Sequence, residues 1–318
     1  MVHIVSLVIR NLGKIVSEDR SNVYYFLYYS MLESVLLMVS PLTSAFIINS
    51  VLAHATISIT VLSIIVVSVF SIIAGLQVLK EYMIEKFEQK IFVKNSIRIS
   101  QLALKLARKD EKDIKTIDKY MNYFFEVVSI QKLFPIVLLN GFGLFIKVVV
   151  SLILLLIFDI SFFVMGVFFI FLFVSLVLVF GRKGAKLAIE RSDAKHETIY
   201  FLQNIPFSSE PAQKVLQRLD ELLVRFIKAR DRMFRVIVKQ LSLTFVMEGV
   251  VLSTFFIVGG YLVFEGIVPI GEFVATEIII ISVISALRDF MKQIDYFYDM
   301  VEGFYKIDKL SNILKEAR

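Results

Sequence analysis

Cysteine is absent from the 318 residues, and histidine occurs only three times. The first absence excludes disulfides, thiolate catalysis and cysteine-based metal sites together. The second argues against a histidine-built metal cluster, with His3 and His54 in surface-like contexts and His196 among charges. Charge is scarce as well, at 20% of the chain, less than a water-facing surface of this length needs. A phosphate-cradling loop of the form Gly-x-x-x-x-Gly-Lys-Ser/Thr is missing. The nearest approach, Gly181-Arg182-Lys183-Gly184-Ala185-Lys186, has the wrong spacing, so this sequence contains no ATPase motif. What the chain does contain is apolar: 57% hydrophobic residues, 30 of them Phe, and a mean hydropathy of +0.76. That composition belongs to an integral membrane protein and argues against disordered, secreted and nucleic-acid-binding classes. The net charge of +6 fits a membrane protein that gathers basic residues on one side for topological reasons.

A helix crossing a hydrocarbon core of about 30 Å needs roughly 20 apolar residues. Six segments meet that need, at Phe26–Leu52, Ile57–Leu79, Phe134–Phe158, Ile160–Gly181, Leu241–Phe264 and Gly271–Met291. The third and fourth meet at Asp159, a lone charge in an apolar run too long for one crossing, which reads as a hairpin turn. All but one of the 35 basic residues lie before the first span, in 80–132, in 182–239 or from Arg288 onward. The remaining connections hold no Lys or Arg. The positive-inside bias therefore predicts cytoplasmic termini, as in a bacterial inner membrane. The exception is Lys147, inside the third span.

The two basic connections are long and the three others nearly absent. Neither long one has strand patterning, and both carry apolar residues at helical spacing, as in Met83, Phe87 and Ile91. In the second, Leu216, Leu219, Leu223, Phe226, Arg230, Met233 and Ile237 form a heptad seam interrupted by one Arg. The spans are predicted to continue below the membrane as helices, for roughly 35–40 Å each. Turning points fall at the charged run Ala107–Asp113 and at 203–211, which contains Pro206 and Pro211. Residues 1–23 read as an amphipathic interfacial segment, with Val5, Val8, Leu12 and Ile15 opposite Arg10 and Lys14.

Six spans with short outer loops, two long inner helical excursions and an amphipathic elbow resemble the transmembrane domain of type I ABC exporters. The stretch Gly259–Ala275 is similar to that family's passage from span five to span six, and Tyr305–Leu314 to its exit toward the ATPase domain. The resemblance covers the whole chain. It implies an all-α membrane protein of the type I exporter fold, with residues 24–318 as the six-span domain and no nucleotide-binding domain in this chain. It implies two coupling regions that seat in nucleotide-binding domains, one with Asp110, Glu111 and Lys112, the other with His196, Tyr200 and Gln203. Gln203-Asn204-Ile205 looks like the family's Gln-Gly-Ile, with Asn in place of Gly. ATP and magnesium would then be held by a partner or an adjoining domain, and no metal or cofactor by this chain. A second transmembrane chain, identical or different, would complete the pathway.

Ionisable groups at bilayer depth are costly unless paired or wetted, so each is a candidate site. Glu33, Lys147, Glu248 and Glu277 qualify as substrate-cavity residues. Counting from the inner ends puts Glu33 and Glu248 at a shared shallow depth, lining a cavity, binding protons or reaching water. Lys147 and Glu277 share a greater depth and are expected to pair, as a cavity wall or as a buried structural bridge. No residue is a candidate catalyst. The expected function is the membrane half of an ATP-driven exporter for a small molecule, lipid or peptide. Its rivals are a proton-coupled transporter with an exporter-like bundle and a non-transporting scaffold or receptor.

Overall fold

The computed structural model describes residues 20–54, 59–107 and 140–316, and among these every regular element is helical. In chain order they are α1 (Arg20–Leu36), α2 (Val39–Leu52), α3 (Ile59–Ala107), α4 (Gly141–Phe158), α5 (Ile160–Gly181), α6 (Gly184–Asn204), α7 (Ala212–Phe264), α8 (Ile270–Lys292) and α9 (Ile294–Glu316). Six stretches are long and apolar enough to cross a membrane: Val23–Leu52, Thr60–Lys94, Gly141–Phe158, Ile160–Phe207, Ala212–Phe264 and Ile270–Lys292. Each overlaps one of the six spans read from the sequence, and the chain is a multi-pass membrane protein whose described residues are helical. Residues 1–19 of the elbow segment, the charged tip with Asp110, Glu111 and Lys112, and residues 134–139 of the predicted third span lie outside the described residues.

The joints have local causes. The first span is two helices, because Pro41 offers no N–H to the Leu37 carbonyl and its ring crowds that turn. The ladder tightens there, with the Met38 N–H donating to Val35 at 3.1 Å before α2 begins. Asp159 is the whole connection between α4 and α5. Its backbone is extended (φ −161°, ψ 143°), and its carboxylate accepts the Ser161 N–H at 2.7 Å, capping α5. Between α7 and α8 the chain turns at Gly266, whose φ of +70° suits only glycine without strain.

Helices α3 and α7 have 49 and 53 residues. At 1.5 Å per residue they run roughly 75–80 Å, so more than half of each lies outside a hydrocarbon core of about 30 Å. Helix α6 returns beside α7 and α9 packs on α6. At bilayer level α8 is central, touching α2, α4 and α7. Close approach to α2 is possible because position 271 is glycine: its N–H donates to Asn49 Oδ1 at 3.0 Å, and a Cβ there would overlap that amide. Phe162, Phe169, Phe255 and Ile279 form the centre of the apolar core.

The heptad seam on α7 is real but shifted. Leu219, Phe226 and Met233 face inward as predicted, whereas the alternate positions are Val215, Leu222 and Ala229, not Leu216, Leu223 and Arg230. Both phases hold apolar residues, and the smaller ones win where α6 approaches. Ala229 is 3% exposed and Leu216 63% exposed, and Arg230, which the sequence made a break in the seam, points away from it.

Candidate functional site

The membrane-level candidates fall into separate places. Glu33, on α1, is nearly buried and bonded to α3: Lys80 Nζ donates to its Oε2 at 2.5 Å and Gln77 Nε2 to its Oε1 at 3.1 Å. Lys80 ends the apolar stretch of α3, so this pair marks the bilayer boundary on the side of the helical extensions. Lys80 also lies over the Phe26 ring, 5.6 Å from its centroid, beside the half-exposed tyrosines of α1.

Glu248, on α7, is bonded to α8, where Arg288 Nη1 donates to both carboxylate oxygens at 3.0 Å. Glu248 also lines an apolar cavity of about 60 Å³ between α4, α5, α7 and α8, with Leu152, Phe169, Met247 and Ile284 among its walls. Its lining is almost wholly apolar, with Ser151, Thr244 and Glu248 as the polar residues along it. It is too small to be a transport pathway within one chain.

Lys147 and Glu277, expected to pair, are not brought together. Glu277 faces the groove between α7 and α8, beside Phe255, Phe256 and Phe273. Lys147 sits on the α1-facing stripe of α4. Gly143, one turn before it, is bonded through its carbonyl by Ser34 Oγ at 3.3 Å, and Ser151, one turn after it, meets Met38 Sδ at 3.9 Å. The carboxylates that act on Lys147 through space are Glu33 and Asp289. The counted depths did not coincide, because Asp289, which acts on Lys147, lies twelve residues along α8 from Glu277, about 18 Å along the helix axis.

At the extension level the structure holds a constellation that the sequence reading missed. Arg191 on α6 donates to Asp295 at 3.2 Å, to Asp299, and to Glu302 at 3.4 Å, all on α9. Lys195, one turn along, meets Glu302 at 3.5 Å, and Lys306 donates to Asp193 at 2.5 Å. Glu302 is 2% and Lys306 1% exposed, so these charges are withdrawn from water, Glu302 compensated by Arg191 and Lys195 and Lys306 by Asp193. Asp295, Asp299 and Glu302 follow steps of four and three, and Arg191 and Lys195 a step of four. Two facing helical stripes of opposite sign were therefore readable in the sequence. Burial holds the Asp299 carboxyl above the usual carboxylate range, an effect Arg191 opposes and Asp295 reinforces.

Next to this network Tyr298 donates its hydroxyl to Gln240 Oε1 at 3.1 Å, and Gln240 Nε2 donates to the Val177 carbonyl at 3.1 Å. Burial raises the Tyr298 pKa. A Cβ at Gly181 or Gly184 would overlap the Gln240 or Tyr298 side chain, so those two glycines let α9 seat against the α5–α6 joint. The glycines that superficially resembled a phosphate loop thus have a packing role.

The second tip follows α6, where the chain turns through Ile205–Phe207 and α7 starts after Pro211. His196 is half-buried with Nδ1 2.9 Å from the Ser192 carbonyl, Tyr200 is half-buried, and Gln203 is exposed. Phe201, Phe207, Lys214 and Arg218 border an open groove of about 890 Å³ at this tip, and Phe207 is 86% exposed. Among the described residues no group of three or more His, Cys, Asp or Glu could hold a metal ion. Neither a protein-family model nor a curated protein matches the chain.

Proposed function

We infer that this chain is the membrane-spanning half of an ATP-driven exporter. It would work as a dimer that alternates access to a substrate pathway between the two copies and receives its motion from nucleotide-binding domains. One observation carries the reading: the spans are joined on one side by turns as short as Asp159, and on the other α6 and α7 run far beyond the bilayer to a tip with an open groove and an exposed Phe207. A protein that only needs to sit in a membrane has no use for levers of this length. A helix pair that ends in a solvated groove suits docking to a moving partner. The clamp of α9 onto α6 supports it, since a push on the tip then reaches α8, which joins α9 directly, at bilayer level. By this reading the two coupling regions contain Asp110, Glu111 and Lys112, and His196, Tyr200 and Gln203, and the ATP and magnesium belong to the partner.

The chain's lack of cysteine gives the test. Tyr200→Cys, made singly, is labelled by a maleimide in native membranes and after purification of the chain alone. The reading expects labelling at least about fivefold slower in native membranes, in proportion to site occupancy. It also expects a crosslink from that cysteine to a protein bearing a phosphate-binding loop. Equal labelling in both settings, with no such crosslink, would refute it.

Glu277 favours a second reading. It is an intramembrane carboxylate with no ion pair among the described residues, as a proton-coupled transporter would need. Uptake driven by a pH gradient in ATP-free proteoliposomes, abolished by Glu277→Gln, would decide for it.

A further inference from the structure

The stripe of α4 that faces α1 places a cation where the described residues supply no anion for it. Lys147 lies between Gly143, opposite Ser30 and Ser34, and Ser151, opposite Met38. It is therefore level with the last turn of α1, within a turn of Glu33. It makes no ion pair or hydrogen bond among the described residues. Both carboxylates that act on it through space are already bonded elsewhere, Glu33 to Lys80 at 2.5 Å and Asp289 to Lys292 at 3.1 Å. Lys80, Glu33, Lys147, Asp289 and Lys292 together leave one positive charge over, at the edge of the bilayer.

A second, independent feature lies at the same place. Ser30 is completely buried, and its hydroxyl has no hydrogen-bond partner among the described residues. It sits against Gly143, 4.0 Å from where a Cβ would project, one turn from Lys147 on the same face of α4. Its neighbour Ser34 is already satisfied by the Ser30 and Gly143 carbonyls. An orphaned donor beside an excess cation asks for an acceptor with several oxygens and a negative charge. The level fits a lipid, since Lys80 ends the apolar stretch of α3 at this height and the outward side of α1 exposes Tyr24, Tyr25 and Tyr28, as at a headgroup boundary.

We propose that Lys147 and the Ser30 hydroxyl, flanked by Lys80, form a site for the phosphate of an anionic lipid headgroup at the extension-side bilayer boundary. The ammonium supplies the charge, the hydroxyl one hydrogen bond, and Glu33 keeps Lys80 oriented while discouraging a second anion. The site does not depend on the exporter reading, because a scaffold or a proton-coupled carrier would bind the lipid as well.

Native mass spectrometry of the full chain, purified in neutral detergent and offered phosphatidylglycerol or phosphatidylcholine, tests it. The wild type should retain phosphatidylglycerol roughly tenfold better, the weight of one hydrogen bond to a charged group. Lys147→Met should bring retention down to the phosphatidylcholine level, Lys147→Arg should keep it, and Ser30→Ala, which removes a buried unpaired group and leaves the fold intact, should reduce it about threefold. Undiminished retention in Lys147→Met, or equal binding of the two lipids by the wild type, would overturn the site, and undiminished retention in Ser30→Ala would overturn the part given to the hydroxyl. Displacement of the lipid by millimolar inorganic phosphate would overturn the lipid assignment.

Discussion

Where α6 meets α9, one guanidinium faces three carboxylates of a single helix, and two further cations, Lys195 and Lys306, complete the set. In the spans each carboxylate of Glu33 and Glu248 has one cation, contributed by one neighbouring helix. The difference follows the cost of the surroundings. Outside the bilayer a group that loses its partner can still draw water into the interface, so a broad network is tolerable and fixes the register of two helices over three turns. Within lipid only a closed pair at the boundary is affordable, and any charge without one must face a cavity, the headgroups or a ligand. The extension network is therefore a clamp, and the membrane-level pairs are pins at single points.

The largest effect tests the clamp. Arg191→Met leaves Asp295, Asp299 and Glu302 facing an apolar side chain and should cost about 3 kcal/mol, the usual scale for stripping one partner from a buried ionic group. Lys195 can move toward Glu302 but cannot reach Asp295 from its position one turn further along α6. Thermal unfolding in detergent, followed by near-ultraviolet circular dichroism, should show a lowered transition with the helix content of the spans unchanged. A transition within a degree of the wild type would mean that the network is solvated ornament.

A smaller effect separates the pins from one another. Glu33→Gln with Lys80→Met should show a coupling of about 1 kcal/mol in a double-mutant cycle, because the groups touch. Lys147→Met with Glu277→Gln should be additive within about 0.5 kcal/mol, because they face different helices. Coupling in the second pair and none in the first would reverse the geometry described here.

The sequence was legible where one dimension suffices. Span number followed from counting apolar residues, the Asp159 hairpin from a single charge in an overlong run, and the tip near Pro206 and Pro211 from backbone chemistry. It failed where the packing of neighbouring helices mattered. Lys147 lies near Glu33 and Asp289 whereas Glu277 lies beside Phe255 and Phe273, and the α7 seam has apolar residues in two phases, which only the packing of α6 on Ala229 and Met233 distinguishes. Pro41 breaks the first span because its partner carbonyl lies in mid-helix. The Arg191 network was overlooked because a search for charges at bilayer depth passes over the water-side helices, where complementary stripes are the relevant pattern.

The smallest effect probes how tightly the clamp excludes water. The Asp299 carboxyl is raised above its ordinary range because burial outweighs the Arg191 charge beside it. A carboxyl that holds its proton more tightly in the folded chain than in the unfolded one adds stability below its ordinary pKa. That contribution is lost as pH rises through the raised value. At neutral pH the ionised Asp299 is therefore less favourable than a neutral group of the same shape, even though it bonds to Arg191. Asp299→Asn removes the titration and keeps an acceptor for the guanidinium. The stability of the wild type relative to Asp299→Asn should then fall as pH is raised from about 4 toward neutrality, by less than the effect of Arg191→Met. Unfolding temperatures of the two proteins across that range give the measurement. Parallel curves would show that water reaches Asp299 freely, and the interface of α6 with α9 would then be open to the same degree as an ordinary surface pair.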